Sequence, residues 1–267
     1  MLRDIFTKAV RDQRRTLFMW SAGVVAYIAL LMSIYPSIRH SAGQLQGYID
    51  SLPQAIRSAF LGASGDFSSP IGFINTELLS WLAPIMFVAF AVSAASRALA
   101  GEEEDGTLSL VLSYPVSRRR LVLEKAAAVI VGVLVVGAVF WASLAVATAV
   151  VGTPVGAGKL FQAVALFTLL GLCCGMVTLA VGGATGRRTA GTAAGAGVAV
   201  AMYLVSTLAQ IESSLHFTRY ASWFYYSGGT TPLGKPVSGA GVAVLVGSVI
   251  VLLLVTLAAF ERRDIRV

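Results

Sequence analysis

Six stretches of the chain stay apolar long enough to cross about 30 Å of hydrocarbon, which takes ~20 helical residues. They are 17–35, 77–96, 126–151, 160–181, 189–210 and 239–260. Ahead of the first, Leu2, Ile5, Phe6, Ala9 and Val10 recur at helical spacing, with Arg3, Lys8, Arg11, Arg14 and Arg15 at the positions between. This pattern predicts a basic amphipathic helix over 1–16 lying in the headgroup layer. A cleaved signal peptide shares the order of basic then apolar residues. The stretch 17–35 is long for a signal core, however, and no small-x-small cleavage site follows, which favours a retained span. Between the first two spans, Leu45, Tyr48, Ile49, Leu52, Ile56 and Phe60 keep the helical period, interrupted at Pro53. Segment 36–76 therefore predicts one or two amphipathic helices on an interface, with 62–70 as a flexible link. Interfacial packing and a lid over an exit path both fit that periodicity.

Composition places the chain in the membrane: 57% of its residues are hydrophobic and only 12% are charged. Soluble domains are usually ~45 to 50% apolar with glycine counted. The net charge of +7 comes from basic residues scattered at span ends rather than gathered on a face, which argues against nucleic acid. With the amino terminus inside, fifteen lysines and arginines fall on that side and five on the other. The bias predicts that both termini are cytoplasmic. Cys173 and Cys174 are adjacent within an apolar run, a spacing that suits packing better than a metal site or a disulfide. His40 and His216 have no companion ligand in sequence.

The middle of every span lacks Asp, Glu, Lys, Arg and His, which argues against a proton- or ion-coupled carrier and against an intramembrane metal enzyme. The stretch GTPVGAGKL at 152–160 only superficially resembles a phosphate loop. Thr153 stands where the first glycine belongs, and Leu160 replaces the hydroxyl that would hold magnesium. Energy for any transport must come from another chain.

Small residues four apart mark the fourth and fifth spans: Gly171 and Gly175, Gly182 and Gly186, Gly191 and Gly195. Such pairs let helices approach closely in lipid. Packing within the chain and a seam between two copies both use this spacing. After the fifth span, 211–238 carries Trp223, Phe224, Tyr225 and Tyr226 as interfacial anchors, followed by the breakers Gly228, Gly229 and Pro232.

The longest run that cannot sit in lipid is 101–125, GEEEDGTLSLVLSYPVSRRRLVLEK. Each charged group there would cost ~2.5 to 3.5 kcal/mol at bilayer depth. Glu102, Glu103, Glu104 and Asp105 come first, and an anionic leaflet repels such a run, which favours a protein partner. Gly106 and Thr107 break and restart a helix. Leu108, Val111 and Leu112 then share one face, Pro115 ends it, and Ser117 caps the next helix ahead of Arg118, Arg119 and Arg120. This predicts a short amphipathic helix slung between the second and third spans, with an apolar face on offer.

The pattern E-x-x-x-G-T-L-x-L-x-L-S-x-P-V-S-R-x-x-L-V-x-x-K resembles the first cytoplasmic loop of the type-2 ATP-binding-cassette (ABC) exporter permeases. Glu102, Gly106, Thr107, Leu108, Leu112, Pro115, Ser117, Arg118 and Lys125 fall on that pattern, and Glu124 departs from it, where a small residue is more usual. The resemblance implies that the loop is a coupling helix inserting into a separate ABC ATPase, present in two copies, which holds the ATP and magnesium. It implies a second permease chain, identical or a sibling. The aromatic, glycine and proline region of 211–238 is similar to the family's re-entrant helices, whose proposed role is to guard the outer exit.

The sequence thus reads as an all-α, six-span permease of the bacterial plasma membrane, exporting a hydrophobic or amphipathic compound. A non-transporting anchor or signalling partner of an ATPase is the alternative.

Overall fold

The computed structural model describes residues 5–51, 53, 70–108, 116–153, 155–211, 213–229, 232–234 and 237–263. Among these the chain is all-helical, with six helices long and apolar enough to cross a membrane. They are α1 (Ile5–Asp50), α2 (Leu82–Ser96, within a span that runs Ile71–Glu104), α3 (Arg118–Val150), α4 (Ala157–Thr185), α5 (Arg188–Ile211) and α6 (Gly239–Glu261). Because six crossings return the chain to its starting side, residues near both termini share one end of the bundle with the 101–125 segment. That is the charged end, and the opposite one, carrying Trp223–Tyr226, is the aromatic end.

α4 is the centre. In its most apolar window 83% of residues are buried within the protein, against 11% in α6. Its glycines explain how its neighbours come so close. A Cβ on Gly171 would lie 2.8 Å from the Phe87 carbonyl oxygen, and one on Gly175 would lie 3.1 Å from the Ala91 Cβ, so both glycines seat α2. A Cβ on Gly191 would meet the Thr178 carbonyl oxygen at 2.7 Å, and one on Gly195 the Cys174 carbonyl oxygen at 3.0 Å, so these seat α5 on α4. All four serve packing inside one chain, which removes them from any seam between copies. Phe87, Phe90, Phe140 and Phe167 fill the core between the helices. Cys173 and Cys174 are buried free thiols, the first with its sulfur 3.4 Å from the Leu245 carbonyl oxygen.

Two boundaries differ from the sequence expectation. Among the described residues no separate interfacial helix precedes the first span: α1 is continuous from Ile5, since 5–22 contains neither glycine nor proline to break it. It also runs through Pro36 to Asp50, so the expected exit from the membrane near residue 36 is helical too. The second span begins at Ile71 rather than 77, and continues past residue 96 to Glu104. It is interrupted by two π-helical turns, Ile74–Leu79 and Arg97–Gly101. The expected link 62–70 and the Pro53–Phe60 pattern lie mostly outside the described residues.

At the aromatic end, Ser213–Ala221 forms a 3₁₀ helix and Trp223–Tyr226 a single α-turn. Ser222 caps that turn by accepting from the Phe224 N–H at 3.2 Å, and donates its own hydroxyl to the Met202 carbonyl on α5 at 2.6 Å. The Trp223 indole donates to Ser248 on α6 at 3.1 Å, and Phe224 stacks edge-on to Tyr203 with ring centres 5.4 Å apart. Gly228, at φ +101°, lets the chain reverse against Pro232. The Leu233 N–H then donates to the buried Asn75 side-chain oxygen at 3.2 Å, fastening this loop to the first π-turn of the second span.

Candidate functional site

The second span ends in three successive glutamates, Glu102–Glu104, in one helical turn. Neighbours on a helix point about 100° apart, so three carboxylates in a row cannot share a partner and must splay around the axis. Each reaches a different helix. Glu102 pairs with Lys125 on α3, whose side chain is only 3% exposed. Glu103 pairs with Arg263, just beyond α6, through both oxygens, one of them at 2.9 Å from Nη1. Glu104 accepts the Arg188 N–H at 2.8 Å, capping the first turn of α5, where unpaired amides and the helix dipole favour an anion.

The turn closes at Gly106, whose φ of +70° lies in the left-handed region and whose N–H donates to the Glu103 carbonyl at 3.0 Å. The Thr107 hydroxyl donates to the Glu102 carbonyl at 3.1 Å. The reversal sends Leu108 back into the apolar core, where it is 1% exposed. This corrects the expected apolar face: its first residue is turned inward, while Val111, Leu112 and Pro115 lie outside the described residues. The acidic run is also not wholly turned to solvent. Glu102 and Glu103 are largely covered and paired within the chain, leaving Glu104 and Asp105 exposed.

On the far side of the loop, the Ser117 hydroxyl accepts from the Arg120 N–H at 3.3 Å and starts α3, the cap its position predicted. Arg118 donates to the Arg263 carbonyl at 2.6 Å, and Arg119 pairs with Glu261. Glu124, the departure from the family pattern, accepts from Arg120 at 2.6 Å and from the Phe6 N–H at 2.9 Å, fastening the start of α1. Arg263 also donates to the Gly183 carbonyl at 3.1 Å, near the end of α4. The acidic turn is thus the hub of polar contacts to the charged ends of α3, α5 and α6 and, through Arg263, of α4, while Glu124 on α3 separately holds the start of α1.

Sequence reasoning placed most carriers of this hub but not its connections. Arg263 registered only as one more basic residue past the last span, and Gly183 not at all. The one available signal was Gly186 in the GRRT turn, a glycine ending an otherwise uninterrupted apolar helix. Beside the hub, Asp12, Gln13, Thr16, Arg97, Glu102 and Lys125, with Phe90 and several alanines, line a cavity of about 90 Å³ between α1, α2 and α3. Arg97 bridges it, donating to Thr16 at 3.2 Å and to Ser93 at 3.3 Å.

A second feature lies toward the aromatic end. Trp81, Ile85 and Val88 from the second span face Val200 and Tyr203 of α5 across an apolar groove of about 470 Å³, with Phe224 closing one side. Among the described residues no charged side chain lines it.

Six helices long and apolar enough to cross a membrane, four of them tied at their charged ends to the acidic turn that closes the second span, define a polytopic membrane protein. The chain belongs to the ABC-2 family of transporter proteins, whose pattern it matches over residues 3–265. It is similar to the probable ABC transporter permease protein NosY of Stutzerimonas stutzeri, 31% identical over 160 residues. That match covers 58% of this chain and 56% of the relative, so the chain spans about half the length of the curated relative it matches. It is a multi-pass transmembrane subunit of the ABC permease type.

Proposed function

We propose that this chain is the permease of an ABC exporter in a bacterial plasma membrane, with both termini cytoplasmic. A separate ABC ATPase docks on the 101–125 loop and supplies the energy, its ATP and magnesium held outside this chain. Two permease chains, identical or siblings, work with two ATPases. The observation that carries this reading is the hub. A push on the loop between Gly106 and Ser117 reaches Glu102–Glu104 within one turn, and from there the ends of the third to sixth spans. The excess of basic residues at that end supports its cytoplasmic placement.

The cargo is a hydrophobic or amphipathic compound, and the uncharged groove between the second and fifth spans suits such a molecule. Trp223–Tyr226 and the Gly228–Pro232 reversal guard its outer side, held by Asn75 and Ser248. Co-purification with the ATPase, then ATP-dependent efflux of a neutral lipophilic dye from vesicles, tests the proposal. Wild type is expected to move the dye, and Leu112→Asp to lose both ATPase and efflux. A complex that hydrolyses ATP but moves no solute or lipid would make the chain an anchor or signalling partner instead. Full assembly and efflux by Leu112→Asp would remove the loop from its coupling role.

A further inference from the structure

A basic residue just past a spanning helix ordinarily turns outward to headgroups or water, as Arg262 does here. Arg263 does the reverse: its side chain is only 18% exposed and lies across the end of α4. Its guanidinium grips both oxygens of Glu103 and donates to the Gly183 carbonyl at 3.1 Å, an acceptor left without a helical partner at the end of α4. Gly186 sits beneath it at φ +66°, and a Cβ there would overlap the guanidinium. The Arg263 carbonyl is in turn held by Arg118 at 2.6 Å, at the start of α3. Four independent features thus converge on one side chain: a two-pronged ion pair, a helix-end carbonyl, a glycine that leaves room for it, and a second arginine fixing its backbone.

Building on the coupling role proposed above, we propose that Arg263 is a positioning residue of the ATPase-coupling site. Through it the fourth and sixth spans follow the acidic turn. The planar fork of arginine suits the task, since it can hold a carboxylate with two parallel bonds while a free N–H reaches a third acceptor. The segment beyond α6 is then part of the coupling machinery, not a topology signal alone. When the loop is displaced, Glu103 carries Arg263 with it, and Arg263 carries the end of α6 and the last turn of α4.

The test uses the assembled permease–ATPase complex and reads the stimulation of ATP turnover by a neutral lipophilic dye. Arg263→Ala and Glu103→Gln are each expected to co-purify with the ATPase yet lose at least about fivefold of the dye stimulation, the low end of a coupling between sites. The double variant should lose no more than either single one, because both remove the same link. Arg263→Lys, which keeps the charge but not the fork, should fall between Arg263→Ala and wild type. Hydrogen exchange at the amides of 183–188 should rise in Arg263→Ala, a change that a residue serving only insertion topology would not produce.

Unchanged stimulation in both single variants would overturn the proposal, as would losses that add in the double variant. If Arg263→Ala does not assemble, Glu103→Gln, close in shape and lacking only the charge, decides in the same way. A wild-type complex that shows no response to any cargo would count against the transport reading rather than this link, and exchange at 183–188 would then decide the link alone.

Discussion

Lys125 shows at the scale of a single residue why the charges at the end of the bundle cannot be read one by one. A lysine at the entry of a span would ordinarily extend into water, yet Lys125 is almost fully covered and held by Glu102. Removing one member of a buried pair strands the other, at a cost of about 3 to 5 kcal/mol, while replacing both costs far less. Lys125→Met is therefore expected to lower the thermal stability of the detergent-solubilised protein sharply, and Lys125→Met with Glu102→Gln to recover most of it. Equal midpoints for the single and double variants would contradict the pairing. Leu108→Asp puts a charge into the core and should prevent folding, as read by loss of a monodisperse detergent-solubilised protein. At the other end, Tyr220 accepts a hydrogen bond from Arg219 at 2.8 Å, and this bond, then the guanidinium charge, holds its phenol below its ordinary value. The ionised form is thereby favoured in the folded state, so its contribution is present above the ordinary value near 10 and is lost as the pH falls through the lowered one. Arg219→Gln should move that phenol back up, as read by ultraviolet titration against a Tyr220→Phe reference.

Among the elements, much was legible because apolar length and glycine spacing are local signals. Six apolar runs became six spanning helices, and the small-residue pairs became two helix crossings on α4. The sequence did not distinguish a crossing within the chain from a seam between copies, because the spacing is the same and only the partner differs. It also placed a break near residue 16 in α1, where a change from basic to apolar composition looked like a change of structure. Composition can change along a helix without breaking it, and Gln13 to Thr16 contain no breaker. The π-turns of the second span left no trace, since an added residue per turn alters packing more than pattern. Gly171→Val should push α2 off α4 and destabilise by about 1 to 3 kcal/mol, as overpacking does. Gly197→Ala on α5 should be tolerated, as a Cβ there meets nothing within 4 Å. Thermal unfolding of the two variants side by side checks the contrast.

Across the whole molecule, the loop between the second and third spans was legible as the feature that does not belong in lipid. Its internal wiring was not, because it joins residues more than a hundred positions apart, such as Glu103 to Arg263 and Phe6 to Glu124. The carboxylates looked like groups awaiting a partner, and the fold gives three of them partners of its own. On this account the partner chain does not bind the acid run so much as move it. The most direct measurement is a set of spin-label distances in the assembled complex, with and without a trapped ATP analogue. The distance between labels at Asp105 and Arg187, within the charged end, should stay constant on trapping. The distance between Trp81 and Val200, across the apolar groove, should change. A charged end that comes apart while the groove keeps its width would contradict transmission through the hub.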